Sequence, residues 1–141
     1  METLYERYVA KKISMALNGL FDVVIQDETQ SIFDEVRKIC LRPDIVLYGP
    51  DKSPVILDTK WKALSSVSDI STSDLYQMIV YTAKYRSKEA FLLYPKNSLN
   101  ETLVMHESFF EHDVSITAFF VDLNDIEGSL ESLIHIIQHD C

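Results

Sequence analysis

Residues 42–62 read Arg42-Pro43-Asp44-Ile45-Val46-Leu47-Tyr48-Gly49-Pro50-Asp51-Lys52-Ser53-Pro54-Val55-Ile56-Leu57-Asp58-Thr59-Lys60-Trp61-Lys62, two apolar runs joined by a turn and ended by charge. Asp44 opens the run Ile45 to Tyr48, the turn Gly49-Pro50-Asp51-Lys52 reverses the chain, and Val55, Ile56 and Leu57 lead into Asp58-Thr59-Lys60. Side chains alternate across a strand, so Asp58 and Lys60 share a face with Ile56 behind them, while Leu57 and Thr59 take the other. A strand this apolar is covered on both faces, and a charged pair at its end stands at a pocket mouth or is badly placed.

Working outward, a helix is predicted over about Glu2 to Leu17, with strands near Phe21 to Gln26 and Ile32 to Ile39. After the hairpin come a helix from Asp74 to Ser87, a short buried strand from Phe91 to Tyr94, an ambiguous stretch from Leu103 to Phe110 and a strand from Val114 to Leu123. The closing helix follows Asn124, which forms a capping-box pair with Glu127 ahead of the stripe Ile126, Leu130, Leu133, Ile134 and Ile137. This order predicts an α/β fold with a mixed central β-sheet flanked by helices. The 141 residues, 47% hydrophobic, contain no Pro/Gly/Ser-rich linker, so residues 1–141 are expected to form one domain. No apolar run is long enough to span a bilayer, and Met1-Glu2-Thr3 has no basic leader. Cys40 and Cys141 make neither a disulfide framework nor a cysteine zinc site, which suits a cytoplasmic location. Three glycines leave no phosphate-cradling loop.

The hairpin suits metal-dependent phosphodiester chemistry. Magnesium takes hard oxygen ligands and is usually held by one or two carboxylates plus waters and phosphate, so Asp44 and Asp58 make an open site for Mg²⁺ or Mn²⁺. Lys60 beside it can orient an attacking water and offset charge on the phosphorus oxygens. The alternative is a surface hairpin whose Asp44 caps a turn and whose Asp58 and Lys60 form a weak exposed pair. On the first helix, Glu6 lies within roughly 40° of Val9, Ala10, Ile13 and Leu17, at the centre of the apolar stripe. A carboxylate there is costly unless paired or metal-bound, which makes Glu6 a third acidic candidate. The other reading of Glu6 is a first-turn acid favoured by the helix dipole. On the Asp74–Ser87 helix, Leu75, Met78, Ile79 and Thr82 form the apolar stripe, and Gln77, Tyr81, Lys84 and Lys88 line a second face able to track a phosphate backbone or simply to meet solvent.

Arg42-Pro43-Asp44, Leu57-Asp58-Thr59-Lys60-Trp61-Lys62 and Asp74-Leu75-Tyr76-Gln77-Met78 followed by Tyr81 resemble the nuclease domains of the McrC family. These are the cleavage subunits of McrBC modification-dependent restriction systems, in the PD-(D/E)XK superfamily. The resemblance spans about residues 4 to 95. It implies a restriction-endonuclease-like fold, metal binding by Asp44 and Asp58, a catalytic Lys60 and a helix-borne acid at Glu6. It also implies that Gln77 and Tyr81 form the Gln-x-x-x-Tyr element shared with RecB-like and Cas4-like nucleases. Family members carry an N-terminal region that engages a GTP-hydrolysing AAA+ partner of the McrB type. Here Met1 leads almost directly into the catalytic helix, so an excised domain or a short stand-alone relative is expected.

A net charge of −9 opposes DNA binding, yet residues 97–141 carry nine acids and no Lys or Arg, while residues 58–96 carry six bases and four acids. DNA contacts are therefore expected at Lys62, Lys84 and Lys88, with the acidic C-terminal third turned away. His135 and His139 have the spacing of a metal pair, but Ile136 stands where the zinc-protease motif requires glutamate, and both are read as solvated. Trp61 is read as core. The expected activity is Mg²⁺-dependent DNA endonuclease. The alternatives are a RecB-like or Cas4-like exonuclease, or a non-catalytic interaction module docking through its acidic helix. No base-reading element is evident.

Overall fold

The computed structural model describes residues 2–32, 39–50, 52–64, 67–96, 103–109 and 112–139. In chain order the elements are α1 (Glu2–Leu17), β1 (Asp22–Ile25), β2 (Ser31–Ile32), β3 (Ile39–Cys40), β4 (Ile45–Tyr48), β5 (Val55–Thr59), α2 (Thr72–Tyr85), β6 (Glu89–Pro95), β7 (Leu103–Phe109), β8 (His112–Val121) and α3 (Ile126–His139). Six strands form one mixed sheet in the order β1-β4-β5-β6-β8-β7. β5, β6 and β8 run parallel at its centre, and antiparallel pairs close both sides.

Alternation along the central strands builds a core on each face. Leu57, Phe91, Leu93 and Phe119 pack beneath α1 and α3, which contribute Val9, Ile13, Leu17, Leu130, Leu133 and Ile137. Val46, Ile56, Leu92, Tyr94 and Phe120 face α2, which contributes Met78, Tyr81 and Tyr85. Every residue of β5 from Val55 to Thr59 is buried, as its unbroken apolar run requires. Two helix layers thus sandwich the sheet, and the expected mixed α/β architecture is the one found.

Three local expectations change. In place of one strand from Ile32 to Ile39, two short strands, β2 and β3, pair antiparallel; residues 33–38 lie outside the described residues. The cap of α3 is Asp125, one residue beyond Asn124, because Asp125 Oδ1 accepts from Gly128 N–H (3.1 Å). The second helix starts earlier and stops sooner. Ser71 caps it by accepting from Asp74 N–H (3.0 Å), and it ends at Tyr85 because Arg86 adopts the left-handed conformation (φ 54°, ψ 40°). Cys141 and the side chains of Cys40 and His139 lie outside the described set.

Candidate active site

β4 and β5 pair with Ile45 opposite Leu57, and one more rung sets Asp44 opposite Asp58. The Asp44 backbone N–H donates to Asp58 Oδ1 (3.2 Å), while Asp44 Oδ2 accepts from the backbone N–H and hydroxyl of Thr59 (2.8 and 2.7 Å). The two carboxylates are therefore locked edge to edge where β4 begins and β5 ends. Burial pushes the Asp44 carboxyl up, and the charge of Asp58 adds to it. Asp58 is also raised by burial, against the opposing pull of Lys60.

Lys60 leaves β5 with its backbone N–H still bonded to Leu93 C=O (3.0 Å). An ammonium has three N–H donors, and here they face Asp58 Oδ2 (2.8 Å), Gln77 Oε1 (2.8 Å) and Asp74 Oδ1 (3.5 Å). Burial would lower its pKa, but the charges of Asp58, Asp74 and Asp44 reverse that, so Lys60 is held as a cation. Gln77 Nε2 donates in turn to Tyr81 Oη (3.1 Å), and burial beside Asp58 and Asp44 pushes that phenol up to about 12. The spacing of Gln77 and Tyr81, one turn apart on α2, is what lets a single chain of bonds fix Lys60.

From the other face, Glu6 on α1 is half-buried and lies against Asp44; burial raises its pKa, a hydrogen bond from Gln26 lowers it, and Asp44 raises it further. The structure thus brings Glu6, Asp44, Asp58, Lys60, Gln77 and Tyr81 together from α1, the β4–β5 hairpin and α2. Among the described residues no group of three His, Cys, Asp or Glu side chains is arranged as a ready metal cage. The donor set is instead two adjoining carboxylates with a third acid alongside, all raised toward protonation chiefly by burial, and this is an oxygen-rich site. Such a set fits a hard divalent cation whose remaining ligands are water and phosphate.

The candidate DNA contacts divide. Lys62 is half-exposed and paired with Asp74 Oδ2 (2.9 Å), and Lys84 is exposed on α2. Lys88 does not continue their row. The left-handed turn at Arg86 takes it off the helix to the start of β6, whose Glu89 aligns with Val55 at the far end of β5 from Asp58. Trp61 is not core: the strand ends at Thr59, and the indole is 38% exposed with its ring edge-on to Tyr5 (centroids 5.1 Å, 77°). Of the histidines, His135 is exposed as expected.

Sequence reasoning missed Asp74, Thr59, Gln26 and Tyr5. Asp74 binds both Lys60 and Lys62, and its pKa is low because those cations outweigh its burial. Its place in the first turn of a helix offered a local explanation that hid the longer-range one. Tyr5 donates to Leu93 C=O (3.1 Å) and ties α1 to β6 at the level of Thr59. Tyr94 Oη is buried with no hydrogen-bond partner among the described residues.

A family model described as McrBC 5-methylcytosine restriction system component matches residues 1–95. Among solved structures, a chain of the refined half-complex from a tetradecameric assembly of Thermococcus gammatolerans McrB AAA+ hexamers with bound McrC superposes with a TM-score of 0.73 at 20% identity. The match covers 96% of this chain and 33% of that one, so the likeness is one of fold, and this chain spans a third of that chain's length. Comparison with curated proteins gives no match.

Proposed function

The chain belongs to the McrBC 5-methylcytosine restriction system component family, and on that premise we propose that it is the DNA-cleaving domain of such a system, a PD-(D/E)XK endonuclease using Mg²⁺ or Mn²⁺. The observation that carries this reading is the bonding of Lys60 to Asp58 and, through Gln77, to Tyr81, beside the Asp44–Asp58 pair. In this reading Asp44 and Asp58, with Glu6 alongside, hold the cation. When bound, the cation would supply Lewis acidity and positive charge in addition to that of Lys60.

The other residues act on position and charge. Lys60 is poised to orient the water that attacks phosphorus and to stabilise charge on the non-bridging phosphate oxygens as the P–O bond to the leaving sugar oxygen breaks. Gln77 and Tyr81 keep its ammonium from drifting, and Asp74 holds Lys62 beside it. Lys62 and Lys84 are the proposed phosphate-backbone contacts. Because residues 97–141 carry nine acids and no Lys or Arg, unaided DNA binding is weak, and delivery by an AAA+ GTPase of the McrB type is the proposed remedy.

The test is plasmid cleavage with Mg²⁺ or Mn²⁺, with and without a co-encoded GTPase. Asp58→Ala and Lys60→Ala should each lose cleavage by at least about a hundredfold while remaining folded, the scale of removing one electrostatic stabiliser. Metal affinity should fall in Asp58→Ala much more than in Lys60→Ala. Wild-type cleavage in either variant would remove these residues from the chemistry.

A further inference from the structure

Gln26 stands next to Asp44 and Asp58 in the sheet. β1 pairs with β4 so that Ile25 faces Ile45, and the following rung sets Gln26 beside Asp44, with Gln26 N–H donating to Asp44 C=O (2.8 Å). One row across three strands therefore reads Gln26, Asp44, Asp58. Gln26 nevertheless has φ +53°, a left-handed backbone that side chains adopt at a cost. Both of its flanks hold it there. The β1–β4 ladder lies before it, and after it Asp27 is anchored by Thr29 N–H (2.7 Å) and by the hydroxyls of Thr29 (2.6 Å), Tyr48 (2.7 Å) and Tyr85 (3.0 Å).

The side chain held in this way bridges two charges. Gln26 Nε2 donates to Glu6 Oε1 (3.1 Å), and Gln26 Oε1 accepts from Arg42 Nη2 (2.6 Å). The guanidinium fixes which end of the carboxamide is oxygen, so the N–H₂ end must face Glu6. Glu6 comes from a different element, α1, and Gln26 is the hydrogen-bond donor that the described residues supply to its carboxylate.

We infer that Gln26 is a positioning residue for the cation site: its strained backbone and the Arg42 clamp aim its amide at Glu6 and hold that carboxylate beside Asp44. This rests on the reading of Asp44, Asp58 and Glu6 as cation ligands. Outer-shell hydrogen bonds of this kind typically govern about a tenfold or greater share of metal affinity. Gln26 thus trades backbone ease for the orientation of a residue twenty positions earlier.

The inference separates stability from binding, and Gln26→Gly tests it, because glycine adopts φ +53° freely yet cannot bridge. Gln26→Asn is the second variant; asparagine tolerates the left-handed region but lacks one methylene of reach. Metal-free thermal unfolding and Mn²⁺ affinity by calorimetry are read for each, alone and combined with Glu6→Ala. Both variants should unfold no earlier than wild type yet bind Mn²⁺ about tenfold more weakly. In the Glu6→Ala background, Gln26→Gly should change affinity no further. Undiminished Mn²⁺ affinity in Gln26→Gly, or an equal loss with and without Glu6, would overturn the positioning role alone. A wild-type chain that binds no Mn²⁺ would overturn the cation site and this inference together.

Discussion

Asp27 shows how hydrogen bonds from hydroxyls and a backbone N–H keep a buried carboxylate charged. Burial pushes its pKa up, but hydrogen bonds from Thr29, Tyr48 and Tyr85 outweigh that and leave it below the ordinary carboxylate value. Its folded pKa is therefore depressed, so its contribution to stability is complete above the unfolded-state value of about 4 and is lost as pH falls through the folded one. In urea unfolding, the stability difference between wild type and Asp27→Asn should be about 1–3 kcal/mol at neutral pH and should shrink from about pH 5 downward. Equal pH slopes in the two proteins would place the acid sensitivity elsewhere. At this scale the sequence was legible where chemistry is local. Asp58 and Lys60 share a strand face by simple alternation, so the period of 2 places them. Gln26 was illegible because its role depends on the β1–β4 register, on Arg42 and on a left-handed φ that no glycine announces.

The elements with long apolar patterns were legible, and their ends were not. α1, α2, α3 and the β4–β5 hairpin follow from periodicity, whereas the stop of α2 depends on one residue. Lys84 and Lys88 continue the helical spacing on paper, but Arg86 turns left-handed, its N–H reaches Ala83 C=O (3.4 Å), and Ser87 N–H reaches Thr82 C=O (2.9 Å). Closing the helix there satisfies late carbonyls that one more turn would have used differently. Arginine at φ 54° is strained, so Arg86→Gly should stabilise the protein by up to about 1 kcal/mol, read as a higher thermal midpoint. A lower midpoint would mean that the arginine side chain contributes more than its backbone costs. Trp61 leaves the core for a similar reason: alternation would place it on the strand face opposite Lys60, but the strand ends at Thr59.

Across the whole molecule, the charge asymmetry visible in sequence maps onto the order of the sheet. The carboxylate pair sits at β4 and β5, while β7, within the stretch free of Lys and Arg, forms the opposite edge beyond β6 and β8. With Lys60 held inside the site by Asp58, Asp74 and Gln77, and Lys88 at the far end of β6, the proposed backbone contacts are the more exposed Lys62 and Lys84. The logarithm of DNA affinity should then fall against log salt with a slope of about −2, at roughly 0.9 per contact, and Lys62→Ala with Lys84→Ala should remove most of it. A slope several units steeper in a titration series would require a basic surface elsewhere. The order of assembly follows from the same sheet. Tyr5 reaches Leu93 across 88 positions, and β5 and β8 meet β6 only after α2 and β7 have been traversed. Contacts so distant along the chain close large loops before they return any stabilisation, whereas the β4–β5 hairpin that carries Asp44 and Asp58 closes a short one. Stopped-flow refolding should accordingly be slow for a chain of this size, with rates on the millisecond-to-second scale of non-local β topologies.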